Sequence, residues 1–434
     1  MAKWQQRQLG DCLTLRSGGT PSKARNDYWG GDIPWVSCKD MKVGRIHDAE
    51  DHLTPLGAEN GTRLVPENTI LFVVRGMILA RDFPIAMTKR TVAFNQDLKA
   101  AEPADFMDNE FLFHWFRANT YEILGRADEA GHGTKRIQTD RLLAMPISVP
   151  PLPVQRRIAG ILSAYDELME NSQRRIRLLE AMARVLYREW FVHFNFPGDE
   201  KHSRVASSLG EIPKGWEVKP LESLMADHIG GGWGKDAPDE DYSQPAWVIR
   251  GTDIPNARCS QVSSVPHRFH TASNLRSRKL AVGDILFEVS GGSKGQPVGR
   301  TLLITPELLS AFDGDVICAS FCKRIRPNAE SYGSELLYLS FLEGYESGEI
   351  EQFQVQSTGI ANFKWTDYIS KTDRVIPPAP LRSRFRKQVA PLFTQIATLG
   401  LQIQNLRRTR DLLLPRLLSG QVEIAPKNGR ETKL

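Results

Sequence analysis

A chain of 434 residues and 48.8 kDa is too long for one ordinary hydrophobic core and has room for two domains of roughly 150 residues plus connecting elements. With 41% hydrophobic and 25% charged residues and a mean hydropathy of -0.34, a disordered or collagen-like chain is excluded, and no apolar run approaches the roughly 20 residues of a membrane span. Fifty-six Lys+Arg against 51 Asp+Glu leave +5 and a pI near 8.9, a balance that suits a polyanion only where the positive charge is locally concentrated. The start, Met1 to Gly10, is polar without a signal-peptide core, so a cytoplasmic protein without a membrane partner is expected. Cys12, Cys38, Cys259, Cys318 and Cys322 form no CxxC pair and read as free thiols.

Taken in chain order, the elements repeat. Residues 1–150 form a first globule, with strand-like runs at Ile33 to Ser37 and Thr69 to Val74 and a helical pattern over Asn109 to Leu124. A first long helix is expected over 151–195, with Ile158, Ile161, Tyr165, Leu168, Ile176, Leu179, Ala183, Leu186 and Trp190 as its apolar stripe and Ser172 as a polar interruption. After a linker at 196–212 comes a second globule, 213–376, with strands expected at Ala246 to Arg250 and Asp284 to Ser290 and a helix at Ser334 to Glu346. The second long helix, 377–420, carries Phe385, Val389, Leu392, Ile396, Leu399, Ile403, Leu406, Leu413 and Leu417 at steps of four and three, with Arg410 the one polar member. Pro391 lies inside that pattern, where proline predicts a bend or a helix start. A flexible tail, 421–434, closes the chain.

The halves align. Trp4 and Trp216, Leu9 and Leu221, Gly18-Gly19 and Gly230-Gly231, Lys23 and Lys235, and Trp35 and Trp247 share an offset of 212. The offset drifts to 215 at Ile70-Leu71-Phe72 and Ile285-Leu286-Phe287, and to 227 at Pro150-Pro151 and Pro377-Pro378, as small loop insertions require. The expected fold is therefore α+β: two similar mixed globules separated by two helices. Each helix has one apolar stripe and needs a partner, and antiparallel pairing within the chain closes the repeat about a pseudo-twofold axis.

Catalytic constellations are missing from this sequence. Gly234-Lys235 is followed by Asp236 rather than Ser or Thr, His267-x-x-His270 reads as a solvated loop pair, and Glu217-x-Lys219 lacks an acidic partner. No catalytic or metal-binding residue is assigned. What remains is glycine and basic residues in equivalent loops. Ser17-Gly18-Gly19-Thr20 with Lys23, and Gly230-Gly231 with Lys235, can bring backbone N–H groups and an ammonium to a phosphate, or can be simple turns with a solvated lysine. Lys39, Arg75, Arg81, Lys89, Lys135, Arg136, Arg250, Lys294, Gln296 and Arg300 extend this candidate DNA-binding set. The copies differ where reading would occur: Arg75 aligns with Ser290, and Arg81 with Gln296. Eight basic residues from Arg382 to Arg416, against the single acid Asp411, mark the second helix.

The whole chain resembles the specificity subunits of type I restriction-modification systems. Three phrases carry the resemblance: Gly18-Gly19-Thr20-Pro21-Ser22 through Tyr28-Trp29-Gly30-Gly31-Asp32-Ile33-Pro34-Trp35-Val36, Pro150-Pro151-Leu152-Pro153-Val154-Gln155-Arg156-Arg157-Ile158, and Leu414-Pro415-Arg416-Leu417-Leu418-Ser419-Gly420. The second copy departs from it, with Gly232-Trp233-Gly234 where the first has Thr20-Pro21-Ser22. The resemblance implies two target recognition domains, each reading half of an asymmetric bipartite site on double-stranded DNA, and two antiparallel helices that set the gap and dock two methyltransferase (modification) subunits. It also implies a chain without catalysis of its own. S-adenosylmethionine, ATP and Mg2+ then belong to the modification and restriction (translocase/nuclease) subunits of the full complex. A helix of about 36 residues rises about 54 Å, enough to hold two half-sites at least one DNA turn apart. The other classes weighed are a self-contained DNA-modifying enzyme and a coiled-coil adaptor that binds no nucleic acid.

Overall fold

The structure, a computed structural model, describes residues 4–129, 134–198, 203–291, 297–330, 332–357, 360–422 and 424. The chain forms two compact units, one of residues 1–167 with 407–434 and one of 168–406. Each unit thus takes a globule together with stretches of both long helices.

In the first unit a five-stranded sheet runs in the order Leu13–Ser17, Leu98–Pro103, Ile70–Val73, Ile85–Thr88, Arg45–Ile46. Ile70-Leu71-Phe72-Val73 is buried throughout, as a central strand covered on both faces must be. A second sheet places Trp29–Val36 parallel to Val92–Phe94. Helix Asn109–Ala118 starts where the Asp108 carboxylate accepts the Phe111 N–H at 3.0 Å, an N-cap that satisfies an otherwise orphaned donor. It presses Phe116 onto Phe72, ring centroids 5.1 Å apart. The helical pattern expected as far as Leu124 is cut in two, because Asn119 caps the first helix with its side chain on the Trp115 carbonyl before Thr120–Gly125 begins.

The second unit repeats this plan with one strand fewer in each of the two larger sheets, lacking counterparts of Arg45–Ile46 and Leu64–Val65. Met225–Gly230, Cys322–Pro327, Ile285–Glu288 and Thr301–Leu303 stand in the order of their counterparts and are likewise antiparallel. Gln244–Ile249 lies parallel to Val316–Cys318, as Trp29–Val36 lies to Val92–Phe94. Helix Ser334–Glu346 falls where the sequence placed it. Arg204–Ser207 and Gly210–Pro213 pair as a hairpin within the stretch expected as a linker.

The long helices are Leu152–Tyr187, continued by a π turn at Arg188–Val192, and Ala379–Leu418. They pair antiparallel. In the first unit Ile158, Ala159 and Leu162 share a core with Leu414, Leu417 and Leu418. In the second unit Met169 and Ile176 pack with Ile396, Leu399 and Ile403, and Phe191 meets Phe385 edge to face at 4.6 Å. Leu179 and Leu406 border that packing, and Leu186 and Leu392 border the neighbouring core around Phe385.

Three expectations need correction here. Of the two outcomes expected at Pro391, a helix start is excluded: the residue is exposed inside Ala379–Leu418, where water can satisfy the carbonyl its ring leaves unpaired. The expected stripe of the first helix is buried at Ile158, Ser172, Ile176, Ala183 and Trp190, but between them the buried residues are Leu162, Asp166 and Met169, one position later than Ile161, Tyr165 and Leu168. Leu168 is 52% exposed, while Ile161, Tyr165 and Leu413 are half-buried. The cause is Asp166, a charged residue at a core position. Finally, His267 and His270 are not a loop pair but the ends of a strand, with His270 buried; an i, i+3 spacing on a strand sends the two rings to opposite faces.

Candidate nucleic-acid interface

The concentrated positive charge that the composition required is found on a small three-stranded sheet of the first unit. Arg75–Gly76 pairs with Lys135–Ile137, which pairs with Ala127–Glu129. The register sets Arg75 directly opposite Arg136, and Arg136 opposite Asp128. Directly opposed residues share a face, and like charges there destabilise a sheet by about 0.2–1 kcal/mol. Asp128 does not relieve this, because its carboxylate accepts from Gln138 at 2.5 Å and Arg141 at 2.9 Å. Both Arg75 and Arg136 are exposed. Among the described residues no carboxylate pairs with Arg75 or Arg136, so the sheet keeps a repulsion that a polyanion would remove. Beside it Met77 is 72% exposed, and Ile78, Arg81 and the half-buried Lys135 complete the surroundings.

The second unit builds the same small sheet from Ser290–Gly291, Ile360–Phe363 and Gln354–Ser357. The row corresponding to Arg75, Arg136 and Asp128 is Ser290, Asn362 and Val355. Ser290 Oγ donates to Asn362 Oδ1 at 2.8 Å. Ile360, Val355 and, on the adjoining loop, Phe321 are exposed. One scaffold therefore presents a cationic row and a neutral, partly apolar one. Lys294 and Gln296, expected near this edge, lie outside the described residues.

The paired glycines serve the fold. A Cβ on Gly18 would stand 2.1 Å from the Phe94 carbonyl oxygen, and one on Gly19 2.1 Å from that of Gly61. The Gly19 N–H is spent on Phe94 O at 2.9 Å, and those of Gly231 and Gly232 on Cys322 O and Cys318 O, each at 2.9 Å. Gly230 pairs with Lys323 in the sheet. The glycines let a loop close on neighbouring backbone, so the expectation that their N–H groups meet phosphate is corrected for Gly19 and Gly231. Ser17 receives a hydrogen bond from Lys99, and Thr20 Oγ1 donates to Gln96 at 2.6 Å.

Among the lysines and arginines singled out, Lys23 is exposed and has no charged partner among the described residues. Lys235 is held by Asp239 and by the Tyr242 ring, 4.3 Å away; the hydrogen bond it donates to Asp239 holds its pKa up. Lys39 pairs with Glu50 at 3.3 Å and Lys89 with Asn68 at 3.4 Å. Arg250 grips Asp253 and Arg300 grips the buried Glu288, each through two nitrogens, so both guanidiniums are committed to the fold. Glu217 and Lys219 form a surface ion pair at 2.6 Å. The reading of the residues passed over Trp233, which is 41% exposed and lies on the Arg268 guanidinium at 4.3 Å. Its signal was the departure at Gly232-Trp233-Gly234 itself, an aromatic in a glycine loop. Asn362, Val355 and Ile360 gave no signal, because only strand register brings them beside Ser290.

The type I restriction modification DNA specificity domain family matches residues 1–181. The MjaIX specificity subunit of a type I restriction enzyme from Methanocaldococcus jannaschii is 28% identical over 431 residues, 97% of this chain and 94% of its own length. The EcoR124I/EcoR124II specificity subunit from Escherichia coli is 34% identical over 165 residues, 38% of this chain and 41% of that protein. Over nearly its whole length this chain is similar to type I restriction enzyme specificity subunits. A crystal structure of such a subunit from M. genitalium shares the fold over 98% of this chain and 97% of that one, with a TM-score of 0.54 at 13% identity.

In this chain the basic face of the second helix is partly spent. Arg386 pairs with Glu335 at 3.1 Å, Arg382 donates to the Glu330 carbonyl at 2.9 Å, and Arg410 binds Asp166. The first helix instead leaves Leu178, Met182 and Val185 exposed at steps of four and three, one contiguous apolar strip. No helix among the described residues is long and apolar enough to cross a membrane, and none of the described His, Cys, Asp and Glu side chains group as a metal site.

Proposed function

We propose that this chain is a type I specificity subunit that reads an asymmetric bipartite site on double-stranded DNA, residues 1–150 reading one half and 213–376 the other, while the paired helices set the gap between them. The observation that carries this reading is a repeated scaffold whose corresponding three-stranded sheets carry Arg75 and Arg136 in one copy and Ser290, Asn362 and Val355 in the other. Two similar scaffolds with unlike edges suit two unlike half-sites. The strip of Leu178, Met182 and Val185 supports docking of modification subunits on the helices, since exposed apolar side chains at helical spacing favour a protein partner.

In this reading the chain supplies recognition and no catalysis. Two modification subunits bring S-adenosylmethionine, restriction subunits bring ATP and Mg2+ chemistry, and the complex works in the cytoplasm. Adenine methylation mapped across the genome of a cell carrying this chain with its modification subunit tests it. A single interrupted motif, methylated in both halves and lost when the chain is omitted, is expected. Methylation at an uninterrupted motif, or methylation independent of the chain, would overturn it.

A further inference from the structure

We infer that the cross-strand rows of the two small sheets are the base-reading edges, and that they read different chemistry: Arg75 and Arg136 a guanine in the first half-site, Asn362 with Val355 an A·T pair in the second. The inference rests on the reading above, that each globule contacts one half-site. It adds which side chains touch bases and which bases they take.

In the major groove guanine offers two acceptors, N7 and O6, which a guanidinium fork can take together. Arg136 and Arg75 are exposed, opposed across one strand pair, and, among the described residues, left without a carboxylate by the commitment of Asp128 to Arg141 and Gln138. Donors without acceptors are what a guanine edge requires. Adenine presents one acceptor, N7, and one donor, N6–H, and an asparagine amide matches both. Asn362 Oδ1 takes one hydrogen from Ser290 Oγ at 2.8 Å, which fixes the amide orientation and leaves a second lone pair to accept from adenine N6–H and an Nδ2 hydrogen to donate to N7. Val355, directly across from Asn362 and exposed, offers the apolar contact that the thymine methyl of the same or the next pair would meet. A two-stranded ribbon fits the major groove, about 12 Å wide, and each row is carried on such a ribbon.

The test is the methylated motif produced by the full chain with its modification subunit, for the wild type and for Arg136→Ala, Asn362→Ala and Asn362→Arg. Arg136→Ala is expected to relax discrimination roughly 10- to 100-fold at one G·C position of one half-site and to leave the other half unchanged. Asn362→Ala should relax one A·T position of the other half, and Asn362→Arg should shift that position towards G·C. Uniform loss of methylation with every motif position retained, in Arg136→Ala or in Asn362→Ala, would mean phosphate contact and overturn the inference. So would relaxation of an A·T position by Arg136→Ala. Should Arg136→Ala prove unfolded by its melting curve, Arg136→Gln decides the same point through a shift from G·C towards A·T. A wild-type chain that gives no interrupted motif refutes the parent reading instead, which keeps the two failures apart.

Discussion

Arg410 Nη1 donates to Asp166 Oδ1 at 2.6 Å, joining the two long helices through a pair whose side chains are about nine-tenths buried. Asp166 also receives Arg117, from the helix Asn109–Ala118, so one carboxylate ties both long helices to the first globule. Burial works to raise its pKa, but the charge of Arg117 and the charge and hydrogen bond of Arg410 outweigh that and hold the carboxyl below its ordinary value. Removing one partner of a buried pair strands the other charges, at a cost of about 3–5 kcal/mol. Asp166→Ala should therefore lower the unfolding free energy of the first unit by about that amount in urea titration. A loss within about 0.5 kcal/mol would show the cluster to be a solvated surface pair.

Next to this cluster His114 donates from Nε2 to Ser163 Oγ at 3.0 Å, since the hydroxyl hydrogen is spent on Glu110 Oε2 at 2.9 Å. Burial, the dominant influence, pushes the imidazole down to about 4, against an ordinary 6.5 in the unfolded chain. Between pH 6.5 and about 4 the unfolded chain takes up a proton that the folded unit refuses, so stability falls as pH falls, by about 3 kcal/mol across the window. Urea midpoints measured from pH 7 to 4 should decline, and His114→Gln should flatten the decline. An unchanged slope in that variant would remove His114 as its source.

The glycine loops predict a contrast within one tripeptide. A Cβ on Gly231 would lie 2.2 Å from the backbone oxygens of both Cys318 and Ala319, whereas one on Gly230 meets nothing within 4 Å. Gly231→Ala should cost about 3 kcal/mol or more of stability, and Gly230→Ala less than about 1 kcal/mol. Equal melting temperatures for the two variants would contradict the packing role.

For the matched lysines the structure separates what the alignment equated. Lys23→Ala should weaken DNA binding across sequences and reduce the slope of log affinity against log salt by about 0.9, the loss of one phosphate contact. Lys235→Ala should change the slope less, because Asp239 and Tyr242 already hold that ammonium. A larger change for Lys235 would reverse the assignment.

Much of this was legible in the residues. The duplication stood in aligned tryptophans, glycines and prolines, and Ser334–Glu346 was readable from its apolar content alone. The first helix was legible as a helix and in most of its register, which fails only from Leu162 to Met169, where a buried Asp166 satisfied by two distant arginines breaks the rule that cores are apolar. Gly18 and Gly19 were conspicuous for the right residue type and the wrong reason, because close backbone approach and phosphate contact demand the same missing side chain. Arg75 and Arg136 were each noted, yet their opposition is a matter of strand register, which no local pattern encodes.

The claim that two globules read two half-sites independently is tested most directly by exchanging residues 213–376 for the corresponding segment of a relative and mapping methylated adenines with the same modification subunit. The account predicts a motif in which one half changes while the other half and the gap are retained. A motif in which both halves change together would show that the globules read DNA as a single unit, and would contradict it.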